Sequence, residues 1–443
     1  MRIAFCSYEL AGVRGGGIGT YVAEAAKALT AAGHEVWLFT AAPDERGREA
    51  LRRHPDFHRV LFLEDDAADA ARYAFGAEPL RYAALAERAL GDAGETFDYI
   101  EFADFGGWGA RVVERQRHAA AFGDAVVAVV LHSPTYECSQ YNRTLRLMTS
   151  AERDVVAIED ATIRSAPAVW APSTRLREMV AARLALPEDF AEVLRYPMTL
   201  PAAPASLPAP GRRLDELRFL YFGRIEPRKG VRELVDAFAS MPELSLECVG
   251  GDGETSPLQT SEVDYLRARG VGNVTFTGRL PRAQMLQRLH DADVVILPSP
   301  WENWPNTCIE SMAAGRVVIG GRNGGMGEMI EHGVSGFVCD GGDARDIARV
   351  VQRDLAEALP RLDEIGRSAA ARIRALSDPM TYVAAIEAFV AARRPSPRTA
   401  PRRARVTVVV VAAACRAVSV AEVVGAVLAQ AGPDLEVLVA HAT

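Results

Sequence analysis

Residues 294–315 read VVILPSPWENWPNTCIESMAAG and decide the fold of the second half of the chain. Val294–Leu297 is an apolar run typical of a strand buried on both faces of a parallel sheet. The loop that follows contains Glu302, and a helical pattern begins near Asn306 or Thr307 and includes Glu310. Ligands of open α/β sheets bind beyond the carboxyl ends of the strands. The sequence therefore predicts a binding site in this loop.

The same alternation of strands and helices surrounds this stretch and predicts a Rossmann-like domain over residues 214–393. The predicted strands are Arg218–Tyr221, Leu244–Val249, Val274–Thr277, Val294–Leu297, Val317–Gly320 and Gly336–Val338. The predicted helices are Val231–Ala239, Arg282–His290, Thr307–Ala314, Ala344–Ala358 and Pro379–Arg393.

Residues 1–199 show a second such series and predict another Rossmann-like domain. A strand at Arg2–Cys6, a glycine-rich turn, a helix at Tyr21–Ala32 and a strand at Val36–Thr40 form a βαβ unit. Three more strands are predicted at Tyr99–Phe102, Ala125–Leu131 and Ala168–Trp170. The Pro- and Ala-rich residues 200–213 are interpreted as an interdomain linker. The predicted fold class is α/β, with two parallel sheets facing each other across a cleft.

The end of the chain is predicted to be a separate piece. Residues 394–405, rich in Pro and Arg, are interpreted as an extended linker, although such an Arg run also attracts anionic lipid. Residues 406–443 read as strand, helix and strand, with the helix near Val420–Gln430. One βαβ unit cannot bury both faces of its sheet, so it either docks on the preceding domain or begins a third one.

Composition narrows the class of protein. The chain has 443 residues, a net charge of -8 and a pI of about 5.6, which disfavours nucleic acid as a partner. The six cysteines show no CxxC spacing and are expected to be free thiols in a reducing compartment. Because no signal-peptide pattern and no apolar run of spanning length occurs, we expect a cytoplasmic protein, with peripheral membrane contact left open.

Charged residues in two strand-to-helix loops suit a diphosphate. Arg224 and Lys229 lie in FGRIEPRKG, residues 222–230, where a guanidinium fork and an ammonium point charge can clamp a pyrophosphate. Glu310 can accept hydrogen bonds from paired ribose hydroxyls, and the start of its helix suits phosphate. In the other interpretation, the loop with Arg224 and Lys229 is only an exposed basic loop. Glu310 then only interacts favourably with the dipole of its helix, and Glu302 is solvated.

Glycines and polar side chains follow several other strands. The turn at residues 12–20 contains Gly15, Gly16, Gly17 and Gly19, whose backbone can approach a ligand closely, but it matches neither a nicotinamide fingerprint nor a P-loop. His132 can donate a hydrogen bond to a sugar, or it is a structural residue whose hydrogen bonds are made within the protein. For His34 we expect the structural role. One of Glu101 and Asp104 can face an acceptor, or these carboxylates are only solvated or cap a helix.

A further glycine-rich turn, residues 323–330, contains Gly325 and Glu328. This turn either meets the sugar or base of a ligand or forms a helix cap.

Together these segments resemble the retaining glycosyltransferases of family 4, which have the GT-B fold. The resemblance covers residues 1–393 and rests on Glu302 through Glu310 followed by SMAAG, on GRIEPRKG, and on the turn that continues as EMIEHGVSGFV. Two positions depart from the family pattern: Tyr196-Pro197-Met198-Thr199 stands where Pro-Asn-Gly is usual, and Gly327 stands where Pro is usual. The tail resembles the start of a family 2 glycosyltransferase.

The resemblance implies a role for each matching residue. Arg224 and Lys229 would bind the donor diphosphate, Glu310 would hold the ribose, and Glu302 would contact the donor sugar. His132 would lie by that sugar, and the loop of Gly15–Gly19 would lie near the diphosphate and acceptor. From their positions in the sequence alone, the helix start at Asn306 and Thr307 suits the diphosphate, and Gly325 and Asp104 are further candidates for substrate binding. The family needs no metal and no cofactor, because cationic side chains and helix ends stabilise the leaving diphosphate.

The hypothesis that follows is transfer of a hexose-type sugar from a nucleoside diphosphate donor to a glycan or lipid-linked acceptor in cell-surface polysaccharide synthesis. The rivals are a non-catalytic subunit that binds nucleotide sugars and a nucleotide-sugar epimerase. The base, sugar and acceptor are not set by the sequence.

Overall fold

The computed structural model describes residues 1–10, 16–41, 44–64, 78–204, 206–253 and 260–394, with two further strands at 406–412 and 435–441. Two parallel sheets form two lobes. All strand pairs in both sheets are parallel, which requires a crossover helix between neighbours and agrees with the predicted α/β class.

The first lobe contains a seven-stranded sheet in the order β3-β2-β1-β4-β5-β6-β7. Its strands are β1 Arg2–Cys6, β2 Glu35–Ala41, β3 Arg59–Leu63, β4 Tyr99–Ala103, β5 Val126–Val130, β6 Ala168–Ala171 and β7 Glu192–Val193. Its helices are α1 Gly17–Ala31, α2 Glu45–Arg52, α3 Glu78–Asp92, α4 Ala110–Ala119, α5 Thr135–Tyr141, α6 Ser150–Ser165 and α7 Thr174–Leu184. The strand order reverses at β1 and β4, so their loops form the switch point where such sheets bind ligands.

The second lobe contains a six-stranded sheet in the order β10-β9-β8-β11-β12-β13. Its strands are β8 Phe219–Phe222, β9 Leu246–Val249, β10 Val274–Gly278, β11 Val294–Leu297, β12 Val317–Gly321 and β13 Phe337–Cys339. Its helices are α8 Val231–Ala239, α9 Glu262–Arg267, α10 Arg282–Asp291, α11 Asn306–Ala313, α12 Met326–Met329, α13 Ala344–Arg349 and α14 Leu362–Leu376, followed by α15 Pro379–Arg393. The switch point lies between β8 and β11, the two strands whose loops contain the predicted site residues.

The apolar runs form strands as predicted because β5, β8, β11 and β12 are buried along their whole length. Strands β3 and β7 and helices α9 and α14 were not predicted from the sequence. The sequence analysis also predicted one helix over Ala344–Ala358, whereas the structure inserts a wider π-type turn at Val350–Leu355. A regular helix period does not distinguish these forms, since both keep an apolar face on the core.

Helix α15 belongs to the second lobe by chain order but packs on α1 of the first lobe. The Tyr382 hydroxyl lies 2.8 Å from that of Tyr21, and the ring of Phe389 meets that of Tyr99 edge-on. Arg393 pairs with Glu192 at 2.6 Å. The predicted second domain ends at residue 393. Its last helix, α15, packs on the first lobe and so joins the two lobes.

The linker of residues 200–213 lies against the second lobe. The buried guanidinium of Arg316 donates to the Ala292 carbonyl at 2.7 Å and to the carbonyl of Ser206. Arg212 pairs with the buried Asp293 at 2.5 Å. These contacts hold residues 206–213 of the linker against the second lobe.

The tail contains the two predicted strands, β14 Val406–Ala412 and β15 Leu435–His441, which pair in parallel. The helix predicted near Val420–Gln430, and the linker from residue 395, lie outside the described residues. The likeness of the tail to family 2 enzymes stays a prediction.

Candidate functional site

The loops that contain Lys229, Glu302 and His132 meet at the carboxyl edges of the two sheets. In the second lobe, the loops after β8, β11 and β12 pack backbone against backbone. Gly230, at φ 70°, lies so close to the Pro298 carbonyl that a Cβ would collide with it, and a Cβ on Gly325 would collide with the Asn303 carbonyl. The Gly325 N–H donates to the Glu302 carbonyl at 2.8 Å. These glycines let three loops converge around Glu302.

The Glu302 carboxylate is the centre of a buried ion cluster. Its Oε1 accepts from Arg228 Nη1 at 2.6 Å and from Lys229 Nζ. Arg228 also pairs with the buried Glu226 at 2.8 Å, and Arg224 lies 3.3 Å from the same carboxylate. Three cations thus face two carboxylates, which leaves one net positive charge for an anionic ligand.

The charges in this cluster support one another. Burial acts to raise the pKa of Glu302, but the positive charges of Lys229 and Arg228 outweigh it and hold the pKa below its ordinary value. Burial is the main cause of a lowered pKa at Lys229, and Glu302 acts against it. Glu302 is therefore an anion at neutral pH, held by two cations rather than solvated as in the alternative interpretation.

Two features of this loop differ from the prediction or were missed by it. Arg224, predicted to clamp the diphosphate, leaves 68% of its side chain exposed and bends back to Glu226. Arg228 was not singled out, although it makes the buried pairs. Lys229 is one of only two lysines in the chain, the other being Lys27, whereas 48 positions are arginine. That contrast is a sequence signal for a position that needs a compact ammonium.

Glu310 lies in the second turn of α11, as the sequence predicts. Its two oxygens accept from Arg282 at 2.7 and 3.0 Å, a bidentate pair that the sequence analysis missed. The side chain of Arg282 is 65% exposed, so a diol can reach the same carboxylate if this arginine moves. Within the described residues, the backbone N–H groups of Asn306 and Thr307 donate to no other group, which leaves the start of α11 open to an anion.

The loop after β11 also fastens the second lobe to the first. The buried Asn303 amide donates to the carbonyls of His132, at 2.8 Å, and Leu131, at 3.2 Å, and its oxygen accepts from Ser173 Oγ at 2.9 Å. The Trp301 ring stacks on Tyr141 at 5.4 Å. The cleft is therefore closed beside Glu302.

More cross-lobe contacts lie on both sides of this loop. Glu328 accepts from the N–H groups of Thr174 and Arg175 at the start of α7 and from Arg195 at 2.6 Å. Glu328 thus caps a helix of the opposite lobe rather than its own. Asn306 Nδ2 donates to the Gly17 carbonyl at 3.4 Å, which brings α11 against the glycine loop.

His132 is buried between the lobes and does not carry a charge. Burial lowers its pKa to about 3, so the ring is neutral at physiological pH. Its Nδ1 lies 2.5 Å from the Tyr196 hydroxyl, and its ring packs on Tyr21 with centroids 5.1 Å apart. Within the described residues, Nε2 has no hydrogen-bond partner. A ligand in the cleft can therefore pair with Nε2.

The two acidic residues predicted to face an acceptor are instead fully buried. Asp104 accepts from the N–H groups of Phe105 at 2.7 Å, His132 at 3.0 Å and Ser133 at 3.4 Å, so it fixes the loop that carries His132. Its placement among substrate-binding residues is therefore corrected: its oxygens are taken by backbone donors. Glu101 accepts from Tyr21 at 2.8 Å. Both lie behind the cleft because they sit on or directly after an interior strand.

At the glycine loop, the described residues begin with Gly16, so Gly15 lies outside them. The Glu9 carboxylate accepts from the Gly19 N–H at 3.2 Å, and a Cβ on Gly16 would overlap it. Gly17 begins α1 and faces Asn306. A carboxylate of this chain thus lies at the positive end of α1, the place predicted for a ligand phosphate. His34 contacts Glu387 and the N-terminal amine, away from the cleft.

Comparisons with known proteins agree with this geometry. Residues 15–195 match the family model described as Glycosyltransferase Family 4, and residues 205–372 match the one described as Glycosyl transferases group 1. The chain belongs to the family 4 glycosyltransferases and has the GT-B fold. It is 26% identical to a glycogen synthase of Mycobacterium tuberculosis over 91% of this chain and 97% of the relative.

Solved structures show the same fold at lower identity. Sucrose-phosphate synthase from Thermosynechococcus elongatus is similar with a TM-score of 0.68, 20% identity, and coverage of 88% of this chain and 98% of that one. HepE from Anabaena in complex with UDP-glucose is similar with a TM-score of 0.63, 18% identity, and coverage of 88% and 100%. Among the described helices of this glycosyltransferase, none has both the length and the apolar character to cross a bilayer.

The buried Glu101 makes a pH-dependent contribution to stability that can be measured. Burial raises its pKa from 4.5 to about 7. The contribution of Glu101 to the free energy of unfolding is therefore fully present below pH 4.5 and is lost as the pH rises through about 7. We expect Glu101→Gln to flatten the decline of melting temperature over this interval. Some slope remains, because burial also raises the pKa of Glu159 to about 7.

The matched control is Glu45→Gln, whose side chain is 82% exposed and whose slope should equal that of the wild type. A Glu101→Gln protein with the full wild-type slope would show that Glu101 is ionised in the folded state.

Proposed function

We propose that this glycosyltransferase binds a nucleoside diphosphate hexose between the lobes and transfers the sugar to a glycan or lipid-linked acceptor. The observation that carries the proposal is the cluster of Arg224, Arg228 and Lys229 around Glu302. This cluster supplies surplus positive charge beside the open start of α11, and the two together suit a diphosphate. The UDP-glucose bound to the related HepE fold supports this class of donor.

Lys229 and Glu310 have distinct parts in donor binding. Lys229 has three donors and uses one on Glu302, so it can hold a phosphate oxygen at the same time. Glu310 releases Arg282 and accepts from the ribose hydroxyls, because a diol offers two donors in place of the two guanidinium N–H groups. Asn306 and Thr307 supply backbone N–H groups at the start of α11, and Gly325 keeps the neighbouring turn close to Glu302.

Catalysis in this proposal is positioning and charge stabilisation. The departing diphosphate gains negative charge as the glycosidic bond breaks, and Lys229 and Arg224 neutralise it without a metal ion. Glu302 is paired with two cations, so it is a poor covalent nucleophile and instead fixes the cations and the donor sugar. Attack by the acceptor on the face from which the diphosphate leaves then retains the anomeric configuration.

The acceptor is the least constrained part of the proposal. A relative named glycogen synthase supports a glycan acceptor. The glycine loop with Gly16, Gly17 and Gly19 borders the first-lobe side of the cleft, where an acceptor can approach the donor. A role in cell-surface polysaccharide synthesis, with loose membrane contact, follows only if that acceptor is lipid-linked.

Lys229→Ala is expected to weaken nucleoside diphosphate binding roughly 10- to 100-fold, since a charge-assisted hydrogen bond is lost. The measurement is a thermal-shift titration with UDP, GDP and ADP. A ligand at 100 times its Kd stabilises the folded protein by about 2.7 kcal/mol, so the loss is readily seen. The control is Lys27→Ala, because Lys27 is exposed on α1. Equal shifts for both variants would contradict a diphosphate at Lys229.

The reaction itself tests the rest of the proposal. With the nucleotide sugar that binds best, ¹H NMR of the first product formed should show the same anomeric configuration as the donor. Turnover should persist in excess EDTA, because Lys229 and Arg224 neutralise the leaving group. An inverted product would refute front-face attack, and loss of turnover in EDTA that returns with a divalent ion would refute metal independence.

A further inference from the structure

Tyr196 occupies a position where the sequence departs from the family pattern, and its hydroxyl lies 2.5 Å from His132 Nδ1. Both side chains are buried, at 5% and 4% exposure. The Tyr196 ring packs on Tyr21 with centroids 4.6 Å apart, which fixes its orientation. The contact is therefore a defined hydrogen bond and not a chance approach of two mobile side chains.

The direction of this hydrogen bond follows from the protonation of both partners. Burial lowers the pKa of His132 to about 3 and raises that of Tyr196 well above its ordinary value, so one ring is neutral imidazole and the other is phenol. A neutral imidazole has one N–H and one bare nitrogen. If Nδ1 carried the proton, the phenol proton would have to leave this contact for another acceptor.

The surroundings leave Nδ1 as the acceptor for the phenol. The Tyr21 hydroxyl is already engaged by Glu101 and Tyr382, each at 2.8 Å. The Asn303 side chain also hydrogen-bonds the Tyr196 hydroxyl and acts to lower the pKa of that phenol, as a donor to its oxygen does, so Asn303 does not take the phenol proton. The Asn303 oxygen accepts from Ser173 at 2.9 Å.

We propose that Tyr196 is a positioning residue that donates to His132 Nδ1 and thereby places the proton on Nε2, which faces the donor sugar as a hydrogen-bond donor. This inference rests on the proposed function, since it assigns to His132 a sugar oxygen as its partner. The oxygen of a sugar hydroxyl, or the oxygen of the sugar ring, can accept the hydrogen bond from Nε2–H. The opposite tautomer would present a bare nitrogen and select for a donor group instead.

The contacts from Asn303 extend this inference to both lobes. Asn303 holds the backbone on both sides of the His132 peptide from the second lobe, while Tyr196 and Asp104 hold the ring and the N–H from the first. His132 is thus held from both lobes.

The test is ¹⁵N NMR of protein labelled at histidine, together with kinetics. The chain has eight histidines, and His132→Gln identifies the His132 signals by difference. In the wild type we expect a single tautomer with the proton on Nε2. In Tyr196→Phe, which removes only the hydroxyl, we expect both tautomers, a three- to tenfold lower kcat for donor turnover, and an unchanged Kd for the nucleoside diphosphate.

A wild-type His132 protonated at Nδ1 would overturn the proposal, and so would a Tyr196→Phe protein that keeps a pure Nε2–H tautomer and full kcat. The wild-type spectrum decides the direction even if the variant does not fold. The outcome is also separate from the proposed function, because the tautomer is read without any substrate, whereas failure of the glycosyltransferase assignment would appear as no turnover by the wild type.

Discussion

The structure of the site depends on one buried carboxylate, Glu302, and on the two cations that hold it. An ionised carboxylate cannot stay buried without partners, and loss of one partner of such a pair is strongly destabilising. The loop after β8 must therefore bring Arg228 and Lys229 to the loop after β11. Gly230 makes this approach possible because it leaves room for the Pro298 carbonyl. The positive charge that suits a diphosphate is thus built into the packing of the second lobe.

The same loop joins that charge to the first lobe. Asn303 follows Glu302 directly and binds the backbone around His132, and Glu328 caps α7 across the cleft. Helix α15 fastens the lobes from the opposite side through Tyr382. His132 of the first lobe and the ion cluster of the second lobe therefore lie in one closed arrangement.

The two α/β lobes could be predicted because many of their strands, such as β5, β8, β11 and β12, are apolar runs typical of a buried parallel sheet. The start of α11 and the position of Glu310 within it also follow from the sequence, whose helical pattern begins near Asn306. In contrast, the partners of each charge depend on which loops meet in space. That is why Arg228 and Arg282 were missed, why Arg224 proved largely exposed, and why Asp104 binds backbone N–H groups instead of an acceptor.

Sequence position alone could not assign Tyr196 either. It stands in a segment that differs from the family pattern, and only the fold shows that its hydroxyl reaches the ring of His132, 64 residues earlier in the chain. Glu9 is a similar case, because the reversal of the chain at the glycine loop brings its carboxylate to the start of α1.

The central claim is that a nucleoside diphosphate binds at Lys229, and the scarcity of lysine allows a direct measurement. An amine-acylating reagent followed by peptide mass spectrometry reports Lys27 and Lys229 in the same experiment. We predict that the diphosphate with the largest thermal shift slows labelling of Lys229 severalfold at saturation and leaves Lys27 unchanged. Equal labelling of Lys229 with and without the bound nucleotide would contradict the account.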